Sequence, residues 1–376
     1  MKLAGAHLTY CTNIHPGESW PEIEANLRGH VVAVKAKVSP DAPFGVGLRM
    51  SGRAARELAD GALPRLQRVL ADHDLYVFTI NGFPYGTFHG APVKAAVYRP
   101  DWREAERLAY TNLLADLLAE LLPAGVDGSI STVPGCFRER AAPDADAALA
   151  EIAAHLRSAG AYCAAIERAR GKKITIAIEP EPCCVIETLD EAIALFTRHL
   201  RGASHLGLCL DACHAAVEFE DLPAAIAAVR AAEVPIAKLQ LSAGLRVAPV
   251  TPAQRAALVR FSDDVYLHQV VARRGDRLTR YTDLPAALGD PAPSDEWRVH
   301  FHVPIVKRDL GAFASTQDFL ADLLALQRRA PLSSHLEVET YTWDVLPPEL
   351  RDVPVTDAIA GELRWVRDRL LGEARA

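Results

Sequence analysis

Apolar positions recur along the chain in two alternating rhythms. Short runs, apolar throughout or with a period of two, occupy 7–14, 44–51, 75–82, 128–134, 173–180, 205–212, 235–242 and 334–341. Each has the length of a strand, and several are apolar enough to be buried on both faces. Between them lie longer stretches in which apolar residues return every three or four positions, at 20–34, 51–73, 101–122, 146–171 and 188–202, the spacing of helices with one buried face. Ser51 and Asp101 stand where N-caps belong, and Thr188 with Glu191 three residues on spells a capping box. The alternation predicts an α/β fold, and eight strands is the number that closes a (β/α)8 TIM barrel. Without a repeat, low-complexity tract or Gly/Ser linker to interrupt it, residues 1–376 are expected to form a single domain. One region departs from the rhythm: residues 243–333 separate the seventh and eighth strands and include strand-like 265–284 and 297–306. An elaborated loop and helix region is expected there, serving as a lid or pocket wall, because loops after barrel strands carry ligand contacts.

Composition narrows the class. Hydrophobic residues make up 50% of the chain and charged ones 24%, which suits a soluble globular protein with a large core. An uninterrupted apolar run long enough to span a bilayer is missing, as is the apolar stretch of a signal peptide near the N-terminus, so the cytoplasm is the expected location. A net charge of -7 argues against a nucleic-acid partner, which calls for a basic face. The seven cysteines are odd in number and mostly lie inside apolar runs, as reduced thiols would. A thiolate metal site from Cys183, Cys184, Cys209 and Cys213 is conceivable, but the spacing lacks a C-x-x-C pair, and buried small side chains are the simpler account.

Side chains alternate across a strand, so parity assigns faces. In ITIAIEPEP the isoleucines 174, 176 and 178 face covering helices, leaving Thr175, Ala177 and Glu179 inward. The same reasoning turns Gly207, Cys209 and Asp211 inward on the sixth strand, Lys238, Gln240 and Ser242 on the seventh, and His335, Glu337 and Glu339 on the eighth. Glu179, Asp211, Gln240 and Glu339 thus converge from four successive strand ends. Each alone has a simpler account: Asp211 as a helix N-cap, Glu179 as a strand terminus before Pro180, Gln240 as a core amide. Together, three carboxylates in one cleft require a proton or a cation, since like charges raise one another's pKa. A divalent metal ion (Mn, Zn, Mg or Co) suits the oxygen-rich set, with His214 one turn beyond Asp211 as a further ligand or substrate contact. Glu337 is the alternative to Glu339, but lies one layer deeper, where His335 could pair with it.

The order IAIEPEP, CLDACH, KLQLS, LEVETY resembles the xylose isomerase-like TIM barrels, a superfamily of sugar-phosphate isomerases and epimerases that also includes AP-endonuclease-like members. The resemblance implies one metal held by Glu179, Asp211, Gln240 and Glu339. It further implies that Glu179 and Glu339 act as acid and base for a proton shift beside a carbonyl, and that His214 lies near substrate. The segments 8–20, 81–90, 93–102, 129–135 and 339–347 are more narrowly similar to the metabolite-traffic proteins of Ebo gene clusters, which implies a secondary-metabolite precursor as ligand and other proteins of that pathway as partners.

His15, Asn81, Tyr85, His89 and Trp343 fall at or just past strand ends, where barrels bind ligand. Lys238 and Glu181 are further candidates for substrate contact, as are His300 and His302, which share a face in RVHFHVPI; a second metal at that pair is the lesser reading. Three functions follow: a metal-dependent isomerase or epimerase of a small metabolite, a non-catalytic metal-assisted binding component of an export pathway, and a metal-dependent phosphodiesterase. The last also calls for a basic track, which the sequence lacks.

Overall fold

Each of the eight apolar runs forms a strand of one parallel barrel. The structure, a computed structural model, describes residues 1–3, 5–90 and 92–373; Ala4, Ala91 and residues 374–376, the last of the expected 1–376 span, lie outside the described residues. The barrel strands are β1 (Ala6–Tyr10), β2 (Phe44–Arg49), β3 (Leu75–Asn81), β4 (Gly128–Thr132), β5 (Ile174–Ile178), β6 (Leu206–Asp211) and β7 (Ile236–Leu241). An insertion carries β8 (Leu245–Val247), β9 (Val270–Arg274), β10 (Arg277–Tyr281), β11 (Glu296–Val299) and β12 (Ala314–Ser315), and β13 (His335–Val338) completes the barrel. Backbone ladders join β1, β13, β7, β6, β5, β4, β3 and β2 in that order. The seam between β2 and β1 has one backbone bridge, Cys11 to Gly47, and side chains close the rest. Thr9 Oγ1 donates to the Gly45 carbonyl (2.6 Å) and accepts from the Gly47 N–H (3.2 Å), while the Arg49 N–H donates to Thr12 Oγ1 (2.9 Å).

Helices cover the outside because the outward residues of the strands are apolar: Ile174, Ile176 and Ile178 are fully buried. Ser51 accepts from the Ala54 N–H, and Thr188 and Glu191 form the reciprocal capping box. Asp101 does not cap its helix. That helix begins at Ala105 with Glu104 at its N-cap, and the Asp101 carboxylate is drawn instead to Arg103 and Arg140 at 3.2 and 3.1 Å; two charge-assisted contacts outcompete one cap. Among the described residues no helix is long and apolar enough to cross a membrane.

The segment after β7 contains helices, Pro252–Leu258 and Leu284–Gly289, and is more than the loop and helix region that its length suggests. It folds as a five-stranded antiparallel sheet in the order β10, β9, β11, β8, β12, before the helix Gln317–Arg329 returns the chain to β13. Its β-branched and aromatic residues had signalled strands; the pairings, mostly between segments distant in sequence, had not. Glu296, nearly buried, anchors the sheet through Arg246, Arg273 and Arg298 at 2.7–2.9 Å.

A carboxylate cluster under an aromatic wall

Glu179, Asp211 and Glu339 meet at the C-terminal mouth of the barrel, each offering an oxygen within 4.8 Å of the other two. All are more than nine-tenths buried. Asp211 does two things at once. Its Oδ1 accepts from the His214 N–H and from Ser242 Oγ, both at 2.8 Å, capping the helix Ala212–Val217, while its Oδ2 is buried with no partner. Gln240, in register beside Asp211, likewise has a buried Oε1 without a partner. Glu339 accepts from Asn13 Nδ2 at 2.6 Å. Burial first, then the charges of Glu339 and Asp211, push the Glu179 carboxyl well above its usual range; burial, Asp211 and Glu337 raise Glu339 to about 7. Buried acceptors are rarely left unpaired, and unpartnered oxygens converging among carboxylates fit a divalent cation.

Directly beneath lies a second polar layer that is already satisfied. Lys238 Nζ sits 2.6 Å from Glu337 Oε2 and donates to Asn81 Oδ1 (3.0 Å) and Ser131 Oγ (3.3 Å); Asn81 Nδ2 donates to Glu337 Oε1 at 2.6 Å. Glu337 is therefore committed, and Glu339 is the eighth-strand carboxylate that faces Glu179 and Asp211. His335 does not pair with Glu337: its Nδ1 bonds Ser129 Oγ at 2.8 Å, one layer deeper.

Three imidazoles flank the cluster. His214 Nδ1 bonds the Pro180 carbonyl (3.0 Å), His300 Nδ1 bonds Gln269 Oε1 (2.8 Å) and His302 Nδ1 bonds the Glu339 carbonyl (3.0 Å). Each acceptor fixes the proton on Nδ1 and leaves Nε2 to face the chamber. His214 Nε2 and His300 Nε2 stand 3.1 Å apart, so one proton or a cation must lie between them. Burial lowers the His214 pKa, but Asp211, Glu181 and Glu339 outweigh it and raise it, while burial and His214 hold His300 well below its ordinary value. His302 Nε2 is buried without a partner.

The chamber above these groups is lined by Asn13, Asn81, Glu179, Glu181, His214, His300, His302 and Glu339 together with apolar and aromatic side chains. Of the residues expected to touch substrate, Asn81, Glu181, His214, His300 and His302 line it. Lys238, His15, His89, Tyr85 and Trp343 are not part of the lining. Lys238 is sealed below on Glu337. His15 bonds the Tyr10 hydroxyl at 3.0 Å and stacks on His30, with ring centroids 4.2 Å apart, and His89 packs edge-on to Phe88. Trp343 is buried in the turn Tyr341–Val345, which presents Tyr341 in its place. The sequence reading missed Asn13, which the 3-10 turn Thr12–Ile14 aims inward where a period of two does not apply. It also missed Tyr98, whose hydroxyl donates to Glu181 at 2.7 Å.

Fold and site define a (β/α)8 barrel with a buried carboxylate cluster at its C-terminal mouth. The family model for xylose isomerase-like TIM barrels matches residues 44–257, more than half of the chain, and the chain belongs to that family. A comparison with curated proteins finds no match. Among solved structures, the IOLI protein with a bound zinc atom is 14% identical, with a TM-score of 0.51 and coverage of 98% of this chain and 99% of that one. A xylose isomerase-like TIM barrel protein from Mycobacterium smegmatis in complex with magnesium is 12% identical, with a TM-score of 0.51 and coverage of 98% and 97%. At these identities the likeness is one of fold.

Proposed function

We propose that the chain is a metal-dependent isomerase or epimerase that moves a proton beside a carbonyl of a small metabolite. The observation that carries this reading is the buried trio Glu179, Asp211 and Glu339, gathered within 4.8 Å, with unpartnered acceptors on Asp211 and Gln240 beside it. Glu179, Asp211, Gln240 and Glu339 would hold one divalent cation. When bound, it would polarise a substrate carbonyl and the adjacent hydroxyl and offset the repulsion among the carboxylates. Glu179, whose carboxylate has no hydrogen-bond partner among the described residues, takes a proton from the carbon next to the carbonyl. Glu339, steadied by Asn13, delivers one to the neighbouring carbon or the opposite face. Without the cation, burial and the neighbouring carboxylates raise the proton affinity of both carboxyls. His302, with a free Nε2, orients a substrate oxygen, and the His214–His300 pair beside it has its rings fixed by Pro180 and Gln269.

Residues 243–333 belong with the barrel as one domain in this proposal, since His300 and His302 of the insertion share the chamber with Glu179. The Ebo-cluster resemblance supports a secondary-metabolite precursor as ligand, with other proteins of that pathway as partners. A two-cation hydrolase is the second reading. It is favoured by the imidazoles near Asp211 and weakened by a lining without Lys or Arg among the described residues to hold a phosphate.

The test is solvent deuterium exchange into carbon-bound positions of a panel of sugars and hydroxy-ketones with Mn2+ supplied. Exchange is expected with at least one compound, and Glu179→Gln or Glu339→Gln should slow it by about 10²- to 10⁴-fold. A cation-loaded protein that exchanges none of them is a binding component without turnover, contrary to the proposal.

A further inference from the structure

We infer that Asn81 is a positioning residue: held at both ends by the buried Lys238–Glu337 ion pair, it turns the Gln240 side chain so that an oxygen, and not an amide nitrogen, faces the carboxylate cluster. The inference rests on the reading of that cluster as a cation site. It goes on to say what the charged layer beneath does for the cluster, since neither Lys238 nor Glu337 lines the chamber.

A side-chain amide has two ends of similar size and opposite hydrogen-bonding sense, so its neighbours decide which way it points. Charge decides it for Asn81, at the end of β3. Its Nδ2 donates to Glu337 Oε1 at 2.6 Å, and its Oδ1 accepts from Lys238 Nζ at 3.0 Å and from Ser131 Oγ at 2.8 Å. Reversed, the amide would set N–H groups against an ammonium and an oxygen against a carboxylate, both of them fully buried. Lys238 and Glu337 stand 2.6 Å apart, so the two charges that Asn81 meets are fixed in place.

Asn81 passes that orientation upward. Gln240 Nε2 donates to Asn81 Oδ1 at 3.4 Å, which leaves Gln240 Oε1 buried and without a partner. The contact is long, but its sign decides the matter: a reversed Gln240 would bring two acceptor oxygens together there. Left to itself, the amide has a reason to reverse. Asp211 is its register partner on β6 and has a buried, unpartnered Oδ2, so a turned Gln240 would offer N–H groups to an acid that lacks a donor. A cation would then lose one oxygen ligand and meet a donor in its place. The structure keeps the other orientation, with Gln240 Oε1 and Asp211 Oδ2 both free, and Asn81 is the contact that holds the amide as a ligand. With three donors on its oxygen, Asn81 has no acceptor left for a substrate hydroxyl.

Calorimetric titration of Mn2+ into chelator-treated full chain tests this. Asn81→Ala should weaken binding at least about tenfold. Ser131→Ala, which removes one donor from Asn81 but leaves both charged anchors, should bind close to wild type. In a Gln240→Ala background Asn81→Ala should add no further loss, because position 81 acts through the amide. A second measurement needs no change at 81. In cation-free, glutamine-labelled wild type, nuclear Overhauser contacts of the Gln240 amide protons, assigned by their absence from Gln240→Ala, should run to the Asn81 side chain and not to Asp211. The inference is overturned if Asn81→Ala binds as wild type does, if its loss persists undiminished without Gln240, or if the amide protons contact Asp211. Should Asn81→Ala fail to fold, those contacts decide. A wild-type chain that takes up no stoichiometric ion removes the cation reading and the inference with it, whereas an ion-binding chain indifferent to Asn81→Ala removes the inference alone.

Discussion

Asp211 shows how a single side chain satisfies two accounts of itself. One oxygen caps a helix and the other stands unpartnered in the site, so the structural and the chemical readings of that aspartate are both correct. The strand-end acids were legible because polar residues at the ends of apolar strands are costly without a reason. Asn13 and Tyr98 were not, since neither breaks a pattern. Glu362 carries a prediction at this scale. Buried, it accepts from the Ile305 N–H and Thr340 Oγ1, both at 3.0 Å, and burial raises its pKa from 4.5 to about 7. The folded chain therefore holds this proton more tightly than the unfolded one. Its stabilising contribution is full below about pH 4.5, falls as pH rises, and is gone above about 7. Glu362→Gln keeps the acceptor and removes the titration. Urea unfolding should find wild type and variant similar at pH 4.5 and the variant more stable at pH 8, by up to about 3 kcal/mol; a pH-independent difference would refute the assignment.

At the scale of elements, parity assigns a side to each strand residue but not a depth. Depth depends on strand tilt and on register shifts such as those at Val46/Gly47 and Leu208/Cys209, which no local pattern encodes. That is why Lys238 read as a substrate contact although it lies a layer below, paired with Glu337. The pair is tightly enclosed: a Cβ at Gly47 would collide with the Glu337 carboxylate and come within 2.7 Å of the Tyr10 carbonyl. Lys238→Met leaves a buried carboxylate without its cation and should cost about 3–5 kcal/mol in urea unfolding. Adding Glu337→Gln should recover a substantial part of that loss. A double-mutant cycle with coupling below about 0.5 kcal/mol would show that the two residues act independently. The strand pairing within the insertion escaped a sequence reading for a related reason. Its strand-like stretches were visible, but the order β10, β9, β11, β8, β12 joins segments that local periodicity cannot match.

Over the whole molecule, the barrel supplies the acids and the connections after its strands supply the rest. His300 and His302 follow β11, Phe83 and Phe88 follow β3, and Tyr341 follows β13, so the chamber exists only once distant segments have met. Lys94 clasps two of them, binding the Asp263–Tyr266 turn from its place beside the wall. Eight strands and a converging acid set could be foreseen from the alternation of short and long apolar periods; the roof over them could not. The central claim is that Glu179, Asp211, Gln240 and Glu339 grip one divalent cation. The most direct measurement is calorimetric titration of Mn2+ into chelator-treated full chain and into Asp211→Asn, a substitution that retains the helix cap and replaces the free oxygen by an amide. Wild type should bind one equivalent, more weakly as pH falls because Glu179 and Glu339 must both lose their protons, and Asp211→Asn should bind at least about a hundredfold more weakly. Wild-type protein that takes up no stoichiometric ion, or an Asn variant that binds as well as wild type, would contradict the account.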